Sequence, residues 1–95
     1  MDRLTLKIVT PSGSVSPIHC DSIHLTVHDD KNGRGGGSYG IRAGEIKTLF
    51  AIDNGPLTAY HEGNVIFSCK LQNGFATVID NLVTVTVEGI SDVTK

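Results

Sequence analysis

Apolar and polar residues alternate along most of this chain, which is the pattern of β-strands that bury one face. The clearest alternation lies in the segments 3–10, 21–29 and 82–88. Their polar positions are rich in threonine and their apolar positions in valine and isoleucine, which are residues that favour strands. The side chains predicted to point inward are Leu4, Leu6, Ile8, Ile23, Leu25, Val27, Val83, Val85 and Val87.

Turn-forming sequences separate these segments at short intervals. DNGP, HEGN, QNG and DN, at 53–56, 61–64, 72–74 and 80–81, can supply the bends or positive φ angles that hairpins need. The spacing predicts an all-β fold, a flattened antiparallel β-sandwich or barrel of about ten short strands connected as a meander. The segment 43–52 has the best helical pattern, but its β-rich neighbours favour a strand there too.

Length and composition limit the classes of protein to consider. The chain has 95 residues, enough for one hydrophobic core, and we predict one domain at 1–90 followed by a tail at 91–95. The eight Lys and Arg residues are scattered and the net charge is −2, so no nucleic-acid partner is expected. No apolar run is long enough to cross a membrane, which predicts a protein in the cytoplasm or on a surface facing it.

Five glycines lie between residues 33 and 40. Gly35, Gly37 and Gly40 fit a dinucleotide-binding pattern in spacing, but that pattern binds phosphate only between a strand and the start of a helix. Val27 is predicted to end the preceding strand eight residues before Gly35, and the residues after Gly40 are strand-like. We therefore predict no phosphate site, and no cofactor.

Cysteine and histidine residues are the other candidates for chemistry. Cys20 and Cys69 are too few for a disulfide framework and are expected to be reduced and buried. Cys20, His24 and His28 would point to the same face if they stood on one strand. Residues four positions apart on a strand are about 13 Å apart, however, which is too far for two of them to bind the same metal ion. His19 would point away from Cys20. We expect no metal site and no catalysis; a metal- or thiol-dependent hydrolase is the weakest of three hypotheses.

Seven segments together carry a family resemblance, and they are LTLKIVTPSGSV (4–15), IHLTVHD (23–29), GSYGIRAGE (37–45), GPLTAY (55–60), NVIFSCKL (64–71), QNGFATVIDN (72–81) and LVTVTVEG (82–89). In this order they resemble the N-terminal β-sandwich of the epsilon subunit of F-type ATP synthases. The sequence departs from the family where Ala43, Gly44 and Glu45 stand in place of Pro-Gly-His, and where the segment between Val27 and Gly37 is longer than usual. We expect the fold to lack the C-terminal helical hairpin of most bacterial members.

The resemblance implies a non-catalytic central-stalk subunit of a rotary ATP synthase. Such a subunit packs on the gamma subunit and rests on the membrane ring of c subunits, and it couples proton or sodium flow to ATP synthesis or hydrolysis. It would lie peripherally, at the cytoplasmic face of the inner (plasma) membrane, and would meet the membrane only through the complex. The implied ring contacts are Asp29, Asp30, Lys31, Arg34, Ser38, Arg42 and Glu45. The alternative is a β-sandwich that binds a protein or a carbohydrate, for which we expect an exposed aromatic platform.

Overall fold

The computed structural model describes residues 3–27, 37–45 and 47–94. Within these ranges the chain forms ten strands and no helix that could span a membrane. The all-β prediction is therefore confirmed, and segment 43–52 does contain a strand. The strands are β1 (Leu4–Thr10), β2 (Gly13–Cys20), β3 (Ser22–Val27), β4 (Gly37–Arg42), β5 (Thr48–Ile52), β6 (Gly55–His61), β7 (Asn64–Leu71), β8 (Gly74–Ile79), β9 (Leu82–Val87) and β10 (Ile90–Thr94).

The strands pair in the order β10-β7-β6-β3-β5-β8-β9-β1-β2, and β4 pairs with β3. The connection between β3 and β5 is a single residue pair, Val27 with Ile52. The ladder is therefore weak at this point, and the strands form the two layers of a sandwich. We call β10, β7, β6, β3 and β4 the first layer, and β5, β8, β9, β1 and β2 the second layer.

The order of the strands differs from a simple meander. β1 and β9 pair in parallel, and the connections from β5 to β6 and from β7 to β8 cross between the layers. The physical reason is that a meander in one sheet leaves its apolar face uncovered, whereas crossing connections place two apolar faces against each other. Two hairpins predicted from turn sequences are confirmed. Positive φ angles of 51° and 80° occur at Glu62 and Gly63, and of 49° and 65° at Asp80 and Asn81, as tight hairpin turns need.

The core lies between the two layers and receives side chains from nine of the ten strands in the described ranges. Eight of the nine side chains predicted to point inward are buried, and the ninth, that of Val27, lies outside the described side chains. Phe67 is the largest buried side chain, at 1% exposure. Cys20 and Cys69 are buried in the same cluster, as predicted. The core thus follows the alternation of the sequence.

The C-terminal segment corrects one expectation. Residues 91–94 are not a tail, because they form most of β10, which pairs with β7 from Ile90 opposite Leu71 to Thr94 opposite Ser68. Almost all of β10 is exposed, so its pairing depends on backbone hydrogen bonds rather than on core burial. A strand held in this way has no apolar periodicity, which is why its sequence looks like a tail.

Candidate protein-interaction surfaces

The strand pairings define two opposite ends of the sandwich. At one end lie the β1–β2 turn at Pro11, the paired residues Val27 and Gly37, the corner at Asn73, and Glu88; we call this the Pro11 end. The opposite ends of the same strands form the other end of the sandwich, which we call the Asp21 end. It contains Asp21, Arg42 and the turns at 62–63 and 80–81. Both ends consist of polar turns, which can contact a polar partner.

The predicted ring contacts do not all lie together. Asp29, Asp30, Lys31 and Arg34 fall outside the described residues, between Val27 and Gly37 in the sequence. Ser38 is the second residue of β4 and pairs with Thr26. Arg42 ends the same strand, about 13 Å from Ser38, and pairs with Ser22 at the Asp21 end. Glu45 follows Arg42 beyond the strand, at a corner where the Gly44 N–H donates to Oδ1 of Asn81 at 2.8 Å.

The outer face of the second layer carries four large exposed apolar side chains among its threonines. Leu49 on β5 is 69% exposed, Phe75 and Ile79 on β8 are 47% and 42% exposed, and Leu82 on β9 is 42% exposed. These side chains are neighbours, because Leu49 pairs with Thr77 between Phe75 and Ile79, and Ile79 pairs with Leu82. We call Leu49, Phe75, Ile79 and Leu82 the apolar outer face. Large exposed apolar side chains grouped on one face of a small protein are typical of a surface that binds a partner.

The sequence indicates this face through strands that are apolar on both sides, which a search for alternating apolar and polar residues does not detect. In segment 48–52 the outward Leu49 and Ala51 are apolar although inward Ile52 is apolar too. In segment 74–79 the outward Phe75 and Ile79 are apolar beside inward alanine and valine. Strands that are apolar on both sides belong to sheets that are covered on both faces. The cover on the inner side is the first layer, whereas on the outer side these side chains are exposed among the described residues.

The outer face of the first layer is polar by comparison. His24 on β3 contacts Tyr60 on β6, with ring centroids 5.1 Å apart. A side chain at Gly40 on β4 would meet the His24 ring at 3.2 Å, so glycine leaves room for that ring. Both rings are half-buried. The exposed aromatic side chains among those described, Tyr39 and Phe75, lie in different layers and do not form the platform expected of a carbohydrate-binding module.

A polar cluster at the Asp21 end joins two corners of the chain. The Asp21 carboxylate accepts the Glu62 N–H at 2.7 Å and lies 3.2 Å from Nδ1 of His61. Arg3 contacts the other ring nitrogen of His61 at 3.4 Å. The hydrogen bond from the Glu62 backbone, with smaller effects of His61 and Arg3, holds the pKa of Asp21 below its ordinary value of 3.8. The cluster has a structural role, because it connects the bend between β2 and β3 to the β6–β7 turn.

The cysteines and histidines do not form a reactive centre within the described ranges. Burial raises the pKa of both thiols to about 11, and the charge of Asp21 adds to the effect at Cys20. Cys20 ends β2 and His24 lies on β3 beyond the bend at Asp21, so the two are not on one strand as the spacing argument assumed. Cys20 is in the core rather than on a solvent face. His28 lies outside the described residues, and the described ones hold no group of three metal-binding side chains.

Comparison with known proteins gives the family. The family model described as "ATP synthase, Delta/Epsilon chain, beta-sandwich domain" matches residues 3–92. The chain belongs to this family. The resemblance drawn from the sequence is thereby confirmed, as is the sandwich fold. No curated protein matches the sequence.

Solved structures of ATP synthases contain the same fold as this delta/epsilon sandwich. A chain of the Euglena gracilis mitochondrial ATP synthase, in its OSCP/F1/c-ring part in rotational state 1, matches with a TM-score of 0.76 and 19% identity over 93% of this chain and 52% of that chain. A chain of the central stalk and c-ring of the Tetrahymena thermophila mitochondrial ATP synthase matches with a TM-score of 0.73 and 16% identity over 96% of this chain and 67% of that one. The chain thus spans about half the length of its Euglena counterpart.

Proposed function

We propose that this delta/epsilon sandwich is a non-catalytic central-stalk subunit of an ATP synthase. In this role it connects the gamma subunit to the c-ring and helps to couple ion flow to ATP synthesis or hydrolysis. Family membership supports the assignment to the complex. The observation that carries the proposal is the apolar outer face, because a subunit held permanently against a partner leaves such a face exposed when it is alone.

The gamma subunit binds the apolar outer face in this proposal. Leu49, Phe75, Ile79 and Leu82 stand on three adjacent paired strands, so they are exposed on one side of the layer. Two lysines border this face: Lys47 lies beside Leu49, and Lys7 on β1 pairs with Thr84 of β9. A surface of this composition gains affinity from apolar burial and shape rather than from charge. That suits a partner that stays bound while the rotor turns.

The Pro11 end faces the ring in this proposal. Val27 and Gly37, the described residues on either side of segment 28–36, pair there, and the proposed contacts are Asp29, Asp30, Lys31 and Arg34 of that segment, with Ser38 near the start of β4. Charged and polar residues next to glycine suit a contact with the polar loops of the c subunits. Arg42 and Glu45 belong to the opposite end, so the proposal leaves them out of the ring contact. The protein would be peripheral, on the side of the membrane that carries the catalytic part of the complex, which is the cytoplasmic side in a bacterium.

Binding to gamma tests the proposal. We expect the chain and the gamma subunit of its own source organism to elute together as a one-to-one complex in size-exclusion chromatography. Leu49→Lys should weaken this binding at least about tenfold, because a charge replaces an apolar contact in the buried centre of the interface. Val65→Lys is the matched control, since Val65 is 55% exposed but lies in the first layer at the β6–β7 hairpin.

Comparison of Leu49→Lys with the control Val65→Lys distinguishes a stalk subunit from a binding module for another partner. Binding that is lost in Leu49→Lys and kept in Val65→Lys supports the stalk role. If both proteins are folded and the unmodified chain does not bind gamma, the proposal is wrong. The sandwich would then be a binding module for another protein.

A further inference from the structure

β10 is the strand at one edge of the first layer, and a single interrupted ladder holds it there. It pairs with β7 at Ile90, Ser91 and Thr94, and the register shifts between Ser91 and Thr94. The ladder between β6 and β7 also contains one shift, but it includes every residue of β6. β10 is last in the strand order, so no strand among those described pairs with its other side.

The side chains of β10 add little to this pairing. Those of residues 91–94 are exposed, and none of the buried core side chains comes from β10. Ile90 is the one residue of the strand that packs against the core, and it is half-buried. The Asp92 carboxylate lies 3.4 Å from Nζ of Lys70, but the two side chains are 68% and 67% exposed. An ion pair so exposed contributes little stability.

The backbone of β10 contains one strained residue. Asp92 has a φ of 52°, in the left-handed region that residues other than glycine adopt at a cost. Asp92 lies where the register with β7 shifts. Release of β10 from β7 would allow this residue to return to an ordinary conformation.

The chain is fixed again directly before β10. The Gln72 N–H donates to the Gly89 carbonyl at 3.0 Å, and the Glu88 N–H donates to the Asn73 carbonyl at 3.1 Å. These two hydrogen bonds join the end of β9 to the corner between β7 and β8. A movement of β10 would therefore stop at Gly89, which can absorb a change in backbone direction because it has no side chain.

We propose that β10 is a separable strand, which leaves β7 by turning about Gly89 while the other nine strands stay folded. Because the core is built from those nine strands, the opening uncovers Ile90 and the edge of β7 but not the centre of the sandwich. The opened edge presents backbone groups that can pair with another extended segment. The inference concerns the sandwich alone and does not depend on the proposed function.

Hydrogen exchange of the chain, followed by NMR at urea concentrations below the unfolding transition, tests the inference. The protected amides of β10 should exchange at least about a hundredfold faster than those of β9. Their rates should hardly change with urea, because a local opening exposes little surface. The rates of the β9 amides should rise steeply with urea, since these amides exchange only when the whole sandwich unfolds.

Two variants distinguish local opening from global unfolding. Ile90→Ala shortens the one side chain of β10 that packs on the core, and it should speed exchange of the β10 amides at least about threefold. Val85→Ala is the matched control, because it shortens a side chain of β9 that is fully buried. It should speed exchange of the β9 amides at least about tenfold and leave that of the β10 amides within about twofold.

Three results would overturn the inference. Equal rates and equal urea dependence in β10 and β9 would show that β10 unfolds only with the whole sandwich. The same would follow if Val85→Ala accelerated both strands equally. Exchange of β10 at the rate of an unfolded chain would show that the strand is not formed. If Val85→Ala does not fold, the urea dependence of the unmodified chain decides alone.

Discussion

At the bend between β2 and β3, the carboxylate of Asp21 holds the β6–β7 turn through the Glu62 N–H and the His61 ring. Because this hydrogen bonding lowers the pKa of Asp21 in the folded state, the ionised carboxylate contributes stability above its ordinary pKa of 3.8. That contribution is lost as the pH falls through the lower pKa of the folded state. The stability of the bend therefore depends on pH in the acid range.

Asp21→Asn tests this dependence, because asparagine keeps an oxygen that can accept the Glu62 N–H but has no charge. We expect a lower melting temperature than that of the unmodified chain at pH 7, and a difference that shrinks as the pH is lowered from 4 to about 2. Thermal unfolding followed by circular dichroism measures it. Glu62→Gln, a neutralisation of an exposed carboxylate on the same turn, is the control. A difference that is the same at pH 2 and pH 7 would contradict the role of the ionised carboxylate.

The two cysteine thiols give a second prediction for single residues. Their pKa of about 11 leaves only about one thiol in a thousand ionised at pH 8, and burial also shields the sulfur. We expect iodoacetamide to leave Cys20 and Cys69 unmodified in the folded chain at pH 8, and to modify both in denaturant. Mass spectrometry counts the added groups. Rapid modification of Cys20 in the folded chain would restore the hypothesis of a reactive thiol.

Among the elements, the start of β8 depends most on one glycine. In Gly74→Ala the new methyl group would overlap the Thr86 carbonyl of β9, so β8 and β9 would have to separate there. We expect a loss of about 1–3 kcal/mol in the free energy of unfolding. Gly89→Ala is the matched control, because its methyl group would lie 3.1 Å from the end of the flexible Gln72 side chain, which can move. Urea unfolding of the two variants measures the difference, and equal stabilities would show that β8 and β9 adapt.

The sequence predicts the strands that are held by core packing better than the strand that is held by backbone pairing. β1, β3 and β9 alternate clearly because their inward side chains, such as Leu6 and Val85, fill the core, and this pattern predicted them. β10 has no such pattern, since it is held to β7 by backbone pairing, so the sequence did not predict it. The parallel pairing of β1 with β9 joins residues nearly eighty positions apart, and local turn chemistry contains no information about it.

At the scale of the whole molecule, the strand directions decide which residues share a surface. Ser38 and Arg42 are close in sequence, but β4 carries them to opposite ends of the sandwich. Sequence proximity therefore grouped Arg42 and Glu45 with Ser38 in one predicted ring contact, although β4 places Arg42 about 13 Å from Ser38. The apolar outer face escaped prediction for a related reason. Leu49, Phe75 and Ile79 become one surface only after β5 and β8 have paired.

For the whole molecule, we propose that the apolar outer face lies on gamma and that the Pro11 end lies on the ring. Cysteines introduced one at a time and coupled to a photoactivated cross-linker can test both contacts in the assembled ATP synthase of the source organism. The native thiols need not be removed, because they are buried and have raised pKa values. Leu49→Cys and Ser38→Cys probe the two contacts. Val65→Cys and Arg42→Cys are their controls in the first layer and at the Asp21 end.

Identification of the cross-linked partners is the most direct measurement. The account predicts that Leu49→Cys is joined to gamma and Ser38→Cys to a c subunit, and that neither control gives these products. Cross-links from Val65→Cys to gamma with none from Leu49→Cys would contradict the account, because gamma would then lie on the first layer and the apolar outer face would have another partner.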